Sequence, residues 1–317
     1  MNAREEINAI VEQLNGPEYR FAFTKDFVMK ACLVLTDDIS DTRFKVTNFN
    51  ASNTKKIEAN WKKITSALVQ AVGLLSSFGL TERSLTSANS VLSIAYYLLK
   101  RSLPPSYDSA QKYASDRRQF ESGFFKSLLR GAFGAQGDTV LSNLRGVIKA
   151  SYELFPAGAL ADKLQQMNRP IRFTDEDLED LLAIQYGERL SFVALALLYP
   201  WVDYRNLFHI DHIHPRSMFT RKALRKAGVP EGDLEFCLAH YDEIPNLQIL
   251  SSNPNIEKSN IPFEDWFARN YSTKKAREDF CERQFIPDVD LKLSNFWEFF
   301  EKRSALLKGD FGVVLQS

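Results

Sequence analysis

The chain is poor in cysteine, poor in histidine and free of long apolar runs, and each shortage narrows what it can be. Three cysteines in 317 residues, Cys32, Cys237 and Cys281, make no C-x-x-C pair and an odd total. That argues against a disulfide framework and fits a reducing compartment. No apolar stretch approaches the roughly 18 residues of a membrane-spanning helix. Residues 1–6 are charged, without the apolar centre of a secretion signal. The expectation is a cytoplasmic protein with no membrane partner. Excess charge is missing too, since 40 Lys and Arg balance 40 Asp and Glu. The chain is therefore not a polycation that holds nucleic acid by bulk electrostatics, and any DNA contact must come from a local patch. A hydrophobic share of 44% with 25% charged residues is ordinary for a globular protein with room for one large domain or two.

Most of what is present reads as helix. Ile7, Ile10, Val11 and Leu14 have helical spacing up to the Gly16-Pro17 break, and Thr24 is placed to cap a helix carrying Phe27, Ala31, Cys32 and Leu35. Trp61, Ile64, Leu68, Val72, Leu75 and Phe78 recur at three and four residues, predicting a core helix over 57–80 that ends at Gly79. A helix over 89–101 stops before Pro104-Pro105. From Tyr107 to Arg130, Tyr113, Phe120, Phe124 and Phe125 interleave with Lys112, Arg117, Arg118, Lys126 and Arg130, read as an aromatic core face backed by a solvated cationic one. Further helices are expected over 140–155, from a Thr174/Asp177 capping box, and over 190–199.

After Pro200 the texture changes, and all four histidines fall in one stretch: His209, His212, His214 and His240. Residues 206–213 alternate as a strand, with His209 and Asp211 on one face and His212 on the other, and 246–250 reads as a second strand. Short helices are expected over 218–226 and 234–241, a helical segment starting at 253–258 and continuing through Phe263, Trp266 and Phe267, and a closing helical tail over 285–307.

Phosphodiester hydrolysis needs an activated water, a cation on the phosphoryl and leaving oxygens, and a positioned backbone. A neutral imidazole suits the first task, and His212 is the candidate base. Asp211 and Asn255 would be a sparse oxygen pair for Mg²⁺, which keeps several waters and takes few protein ligands. Because Asp211 and His212 alternate on a regular strand, serving one site requires a bend or a loop at this point.

Asp211-His212-Ile213-His214-Pro215, Asn246-Leu247-Gln248-Ile249-Leu250, Asn255 and Lys258 resemble the ββα-metal finger of HNH endonucleases, in the variant ending on Asn. The resemblance implies that Asp211 binds metal, His212 activates water, Asn246 in the catalytic set holds the loop between the strands, Asn255 completes the metal site, and Lys258 lies near the phosphate. His209 is a further candidate ligand. Looser matches at Thr24-Lys25-Asp26-Phe27, Asn60-Trp61, Tyr96-Tyr97-Leu98 and Ala196-Leu197-Leu198-Tyr199-Pro200 are similar to the helices that precede the finger in GmrSD-like, modification-dependent restriction proteins. In that family a nucleotide-binding sensor domain precedes the helices. Its motif is not found here, so the chain is expected to be the C-terminal part of a longer protein or a shortened relative.

The expectation is thus a mainly α protein with an inserted ββα-metal (HNH) finger: a helical domain over 1–186, a nuclease domain over 187–270 with the finger at about 206–260, and a tail over 271–317 packing on it. It would act as a Mg²⁺-dependent DNA endonuclease in restriction or phage defence, with Mn²⁺ a second usable ion. A homo-oligomer is compatible with the sequence. Arg216, Arg221, Lys222, Arg225 and Lys226 follow the base as an uninterrupted basic run and are assigned, with Lys258, to DNA contact. The alternative is a non-cleaving DNA-binding or partner-binding module with a degenerate or zinc-filled finger. For zinc, Cys237 and His240 would join His209 and His214 in a tetrahedral set.

Overall fold

In the computed structural model, which describes residues 2–152, 154–251 and 258–316, the chain is mainly α-helical with one two-stranded sheet. Among the described residues, no helix is long and apolar enough to cross a membrane. The chain divides into two compact units. The first holds residues 1–171 and 203–205, the second 172–202 and 206–317.

The first unit is built from α1 (Ala3–Leu14), α2 (Lys25–Leu35), α3 (Ala51–Ser77), α4 (Ala88–Lys100), α5 (Ala114–Leu129), α6 (Gly137–Ala150) and α7 (Ala157–Gln166). Helix α4 lies at its centre, packed by α2, α3 and α6. Val91, Leu92, Ile94, Ala95, Tyr96, Tyr97 and Leu98 are buried around most of its circumference, as a helix surrounded on several sides requires. Thr24 caps α2 by accepting the Phe27 N–H at 3.3 Å. Helix α3 starts before the first apolar residue of its periodic face, because Asn50 accepts the Asn53 N–H at 3.0 Å and supplies the cap. The aromatic face of α5 is core: the hydroxyls of Tyr97 and Tyr107 both donate to the buried Asp116 carboxylate, at 2.6 and 2.7 Å.

The second unit contains α8 (Asp175–Leu182), α9 (Ser191–Leu198), β1 (Phe208–His212), α10 (Arg221–Lys226), α11 (Leu234–His240), β2 (Leu247–Ser251), α12 (Phe263–Asn270), α13 (Lys274–Gln284) and α14 (Phe296–Gln316). The capping box forms with aspartate in the third position: Thr174 accepts the Asp177 N–H and Asp177 accepts the Thr174 N–H at 2.7 Å. Helix α9 is buried at every residue. The division falls at Ile171/Arg172 rather than near residue 186, because α8 packs against α14, where Gln316 donates to Asp175 at 2.9 Å and Lys308 pairs with Glu179. Residues 271–317 are likewise an integral part of this unit. Phe219, Phe263, Trp266, Phe280, Phe296 and Phe299 form one aromatic core with Ile213, Leu224 and Cys237.

The expected helix over 285–307 begins only at Phe296. Phe285 takes a left-handed conformation (φ 55°) as the cap of α13, which a side chain bearing Cβ adopts only at a cost. Its carbonyl there accepts a hydrogen bond from Arg303 at 3.2 Å. Arg303 is fully buried on α14, without a carboxylate partner among the described residues. It donates to the carbonyls of Pro245 (2.7 Å), Leu247 (2.9 Å), Gln284 (3.1 Å) and Ile244 (3.3 Å), and to the Tyr199 hydroxyl (3.3 Å). The fork of guanidinium donors pins the chain that leads into β2.

Candidate active site

Strands β1 and β2 are antiparallel, with His209 opposite Leu250, Asp211 opposite Gln248 and His212 opposite Leu247. The ladder is extended by the Ile213 N–H, which donates to the Asn246 carbonyl at 2.7 Å. Beyond Ile213 the chain turns, and the buried side chain of Asn246 closes that turn. Its Oδ1 accepts the His214 N–H at 2.9 Å, while Nδ2 donates to the carbonyls of His214 (3.2 Å) and Tyr241 (2.7 Å). An amide is suited to this task because it both accepts and donates, and the surrounding backbone groups are out of reach of water.

His212 ends β1, buried, with Nε2 2.7 Å from Asp242 Oδ1. The Tyr186 ring lies 4.7 Å from the imidazole, centroid to centroid. Burial depresses the pKa of His212, and the Asp242 carboxylate offsets part of that shift. The imidazole is therefore neutral at pH 7, the state a base requires. Asp242 is held in turn: its carbonyl accepts the Tyr186 N–H at 2.6 Å, and Arg216 Nη2 stands 3.4 Å from its Oδ2. No sequence pattern flags Asp242, since an Asp-Glu pair after a short helix looks like any solvated turn.

Asp211 faces a different set of partners. Its Oδ2 accepts from Gln248 at 3.0 Å and pairs with the Lys258 ammonium at 2.8 Å. Lys258 also donates to the His212 carbonyl, so one cation touches both neighbours, through a carboxylate of one and the backbone of the other. This corrects the expected phosphate contact of Lys258: its side chain is completely buried, and Asp211 holds it there against the desolvation that lowers its pKa.

The remaining assignments divide. Asn255, the second expected metal ligand, lies outside the described residues, as do residues 253–257 of the expected helical start. His209 is half-buried on β1. In the basic run, Arg225 is bound at both ends to Glu231 (3.0 and 2.5 Å) and Arg221 pairs with Glu235 at 2.5 Å. Lys222 and Lys226 are exposed, with no ion pair among the described residues. Arg216, also exposed, is the one member of the run beside the histidine.

The zinc set does not assemble. Cys237 is part of the apolar core and His240 pairs with Glu243 at 2.9 Å. His214 is enclosed by the edges and faces of Phe263, Phe296 and Phe299. Among the described residues, no group of three or more His, Cys, Asp or Glu side chains is arranged to hold a metal. At Asp211 the one carboxylate is paired with the Lys258 ammonium, and the Oε1 of its other partner, Gln248, is buried without a partner among the described residues.

His214 carries a stability prediction of its own. Complete burial, with the charges of Lys258 and Arg303 nearby, pushes its pKa from 6.5 down to about 3. Below pH 6.5 the unfolded chain then binds the proton that the folded one refuses, so stability falls as pH drops, by up to about 1.4 kcal/mol per pH unit. Urea unfolding at pH 7 and pH 5 is expected to show a smaller loss for His214→Leu than for the wild type. Equal losses would show that His214 is not the group responsible.

Compared with models of known protein families the chain matches none, and compared with curated proteins it has no significant match.

Proposed function

We propose that the second unit is a metal-dependent DNA endonuclease of the ββα-metal type. The observation that carries this reading is the histidine at the end of β1, kept neutral by burial and held through Nε2 by a carboxylate, next to the acid Asp211 and above a turn closed by Asn246. His212 takes a proton from the water that attacks phosphorus. Asn246 keeps the backbone of the turn in the geometry that presents the imidazole. Asp211, with Asn255, would hold the cation, and Mg²⁺ or Mn²⁺ bound there supplies positive charge for the phosphoryl and leaving oxygens. Arg216, with Lys222 and Lys226, supplies the phosphate contacts that place the strand; surface pairs such as Arg221–Glu235 are weak enough to exchange for phosphate. The resemblance to modification-dependent restriction proteins gives the setting, restriction of modified or foreign DNA in the cytoplasm.

One observation favours the second reading, a module that binds DNA or a partner without cutting: Lys258 already neutralises the acid that the cation would need. Plasmid incubated with the protein separates the two. The nuclease reading expects nicking or linearisation in Mg²⁺ that EDTA abolishes, on modified DNA, unmodified DNA or both. DNA retention with no cleavage in Mg²⁺ or Mn²⁺ would favour the non-cleaving module.

A further inference from the structure

An imidazole serves as a base only through the nitrogen that lacks a proton, and which nitrogen that is depends on the partner of the other. At His212 the two nitrogens are in unequal surroundings. Nε2 lies 2.7 Å from Asp242 Oδ1, whereas Nδ1 has no partner among the described residues. An ionised carboxylate can only accept, so a neutral imidazole in this contact must carry its proton on Nε2. Asp242 is also unusually well fixed for an acid between a helix and a strand. On its N-terminal side α11 ends at His240. On its C-terminal side Glu243 bridges Gln185 and Ile244 donates to the Ile184 carbonyl at 3.1 Å. The Asp242 carbonyl is tied to Tyr186, and its second carboxylate oxygen faces Arg216. The segment 184–186, far away in sequence, thus serves as a backstop for the acid while Tyr186 covers the imidazole.

We infer that Asp242 is the positioning residue for His212: its carboxylate accepts the Nε2–H, locks the ring in one rotamer and tautomer, and leaves Nδ1 as the lone-pair nitrogen that meets the attacking water. The role in water activation rests on the reading of His212 as the base, but the tautomer does not. In this arrangement the proton taken from water goes to Nδ1, giving an imidazolium whose Nε2–H remains on Asp242.

The test is a long-range ¹H–¹⁵N correlation spectrum of the ¹⁵N-labelled full chain at pH 7.5. With four histidines in the sequence, His212 is assigned by the signals lost in His212→Ala. The wild type is expected to show a protonated Nε2 and a pyridine-like Nδ1. Asp242→Leu should give shifts averaged between the two tautomers while the other three histidines stay in place. If that variant does not fold, Asp242→Ala serves instead, because it likewise removes the acceptor of the Nε2–H. A wild-type ring protonated on Nδ1, or an unchanged single Nε2–H tautomer in the variant that folds, would overturn the inference. A cleavage assay on the same samples separates the two layers. With cleavage present, Asp242→Leu is expected to lower kcat by at least 100-fold with little change in KM. A tautomer that responds as expected in a chain that cuts no DNA would leave Asp242 as the orienting group and sink the nuclease reading alone.

Discussion

Replacing Arg303 with alanine is expected to destabilise the second unit by about 4 kcal/mol or more, the largest effect foreseen for any single substitution in the core. The reason is the number of groups it satisfies. The carbonyls of Ile244, Pro245, Leu247, Gln284 and Phe285 and the hydroxyl of Tyr199 all point at one guanidinium. Without it, several buried acceptors lose their donors at about 1–3 kcal/mol each, and a cavity is left behind. Burial lowers the pKa of Arg303, but a guanidinium stays charged. Arg303→Lys should recover part of the loss, since an ammonium offers three donors in place of five and cannot fan out across carbonyls from separate segments. Urea unfolding followed by tryptophan fluorescence is well matched to this question. Three of the four tryptophans, Trp201, Trp266 and Trp297, lie in the second unit. A midpoint unchanged by Arg303→Ala would show that water replaces the guanidinium at no cost. The consequence extends to the site, because Ile244, Pro245 and Leu247 flank Asn246, and Asn246 closes the turn behind His212.

How much of this was legible in the sequence depended on whether the signal was local. The Thr24 cap, the Thr174/Asp177 box, the periodic face of α3 and the stop of α4 were visible because caps and helical spacing are read within a few residues. The first strand is visible as alternation and the second as a short apolar run, and their register sets Asp211 opposite Gln248 and His212 opposite Leu247. Helices α7 and α13 gave no sign. Helix α13 in particular buries only Phe280, so it has almost no apolar stripe to detect. Helix α14 starts eleven residues after the expected position, since Phe285 is an apolar residue in a left-handed cap, a conformation ordinarily signalled by glycine. The division at Ile171/Arg172 differs from the expected one for a related reason. Nothing near Thr174 says that α8 will pack on a helix more than a hundred residues later. At the site, His212 is marked by the histidine-rich strand it ends, and Asn246 only by the resemblance to the ββα-metal finger. The partners that set their chemistry, Asp242, Lys258 as a buried ion and Arg303, did not. Each of these is a charged residue whose solvated and buried versions look identical until the fold brings its partner to it.

The second large effect concerns that histidine. If His212 is the base, His212→Ala removes the imidazole held at the end of β1 against the Asp242 carboxylate, and general-base catalysis contributes about 10²–10⁴-fold. Asp211 and Lys258 remain paired in this variant, and the turn held by Asn246 uses backbone groups of His214 and Tyr241, so the fold and DNA retention should survive the change. The loss is therefore expected in the rate of the chemical step and not in binding. The decisive measurement is the single-turnover rate of plasmid cleavage in Mg²⁺ for wild type and His212→Ala, each with an EDTA control and with matched circular dichroism. EDTA-sensitive cleavage by the wild type is expected, with a rate at least 100-fold lower in the folded variant. Equal rates in the two proteins, or no cleavage by the wild type in Mg²⁺ or Mn²⁺, would contradict it.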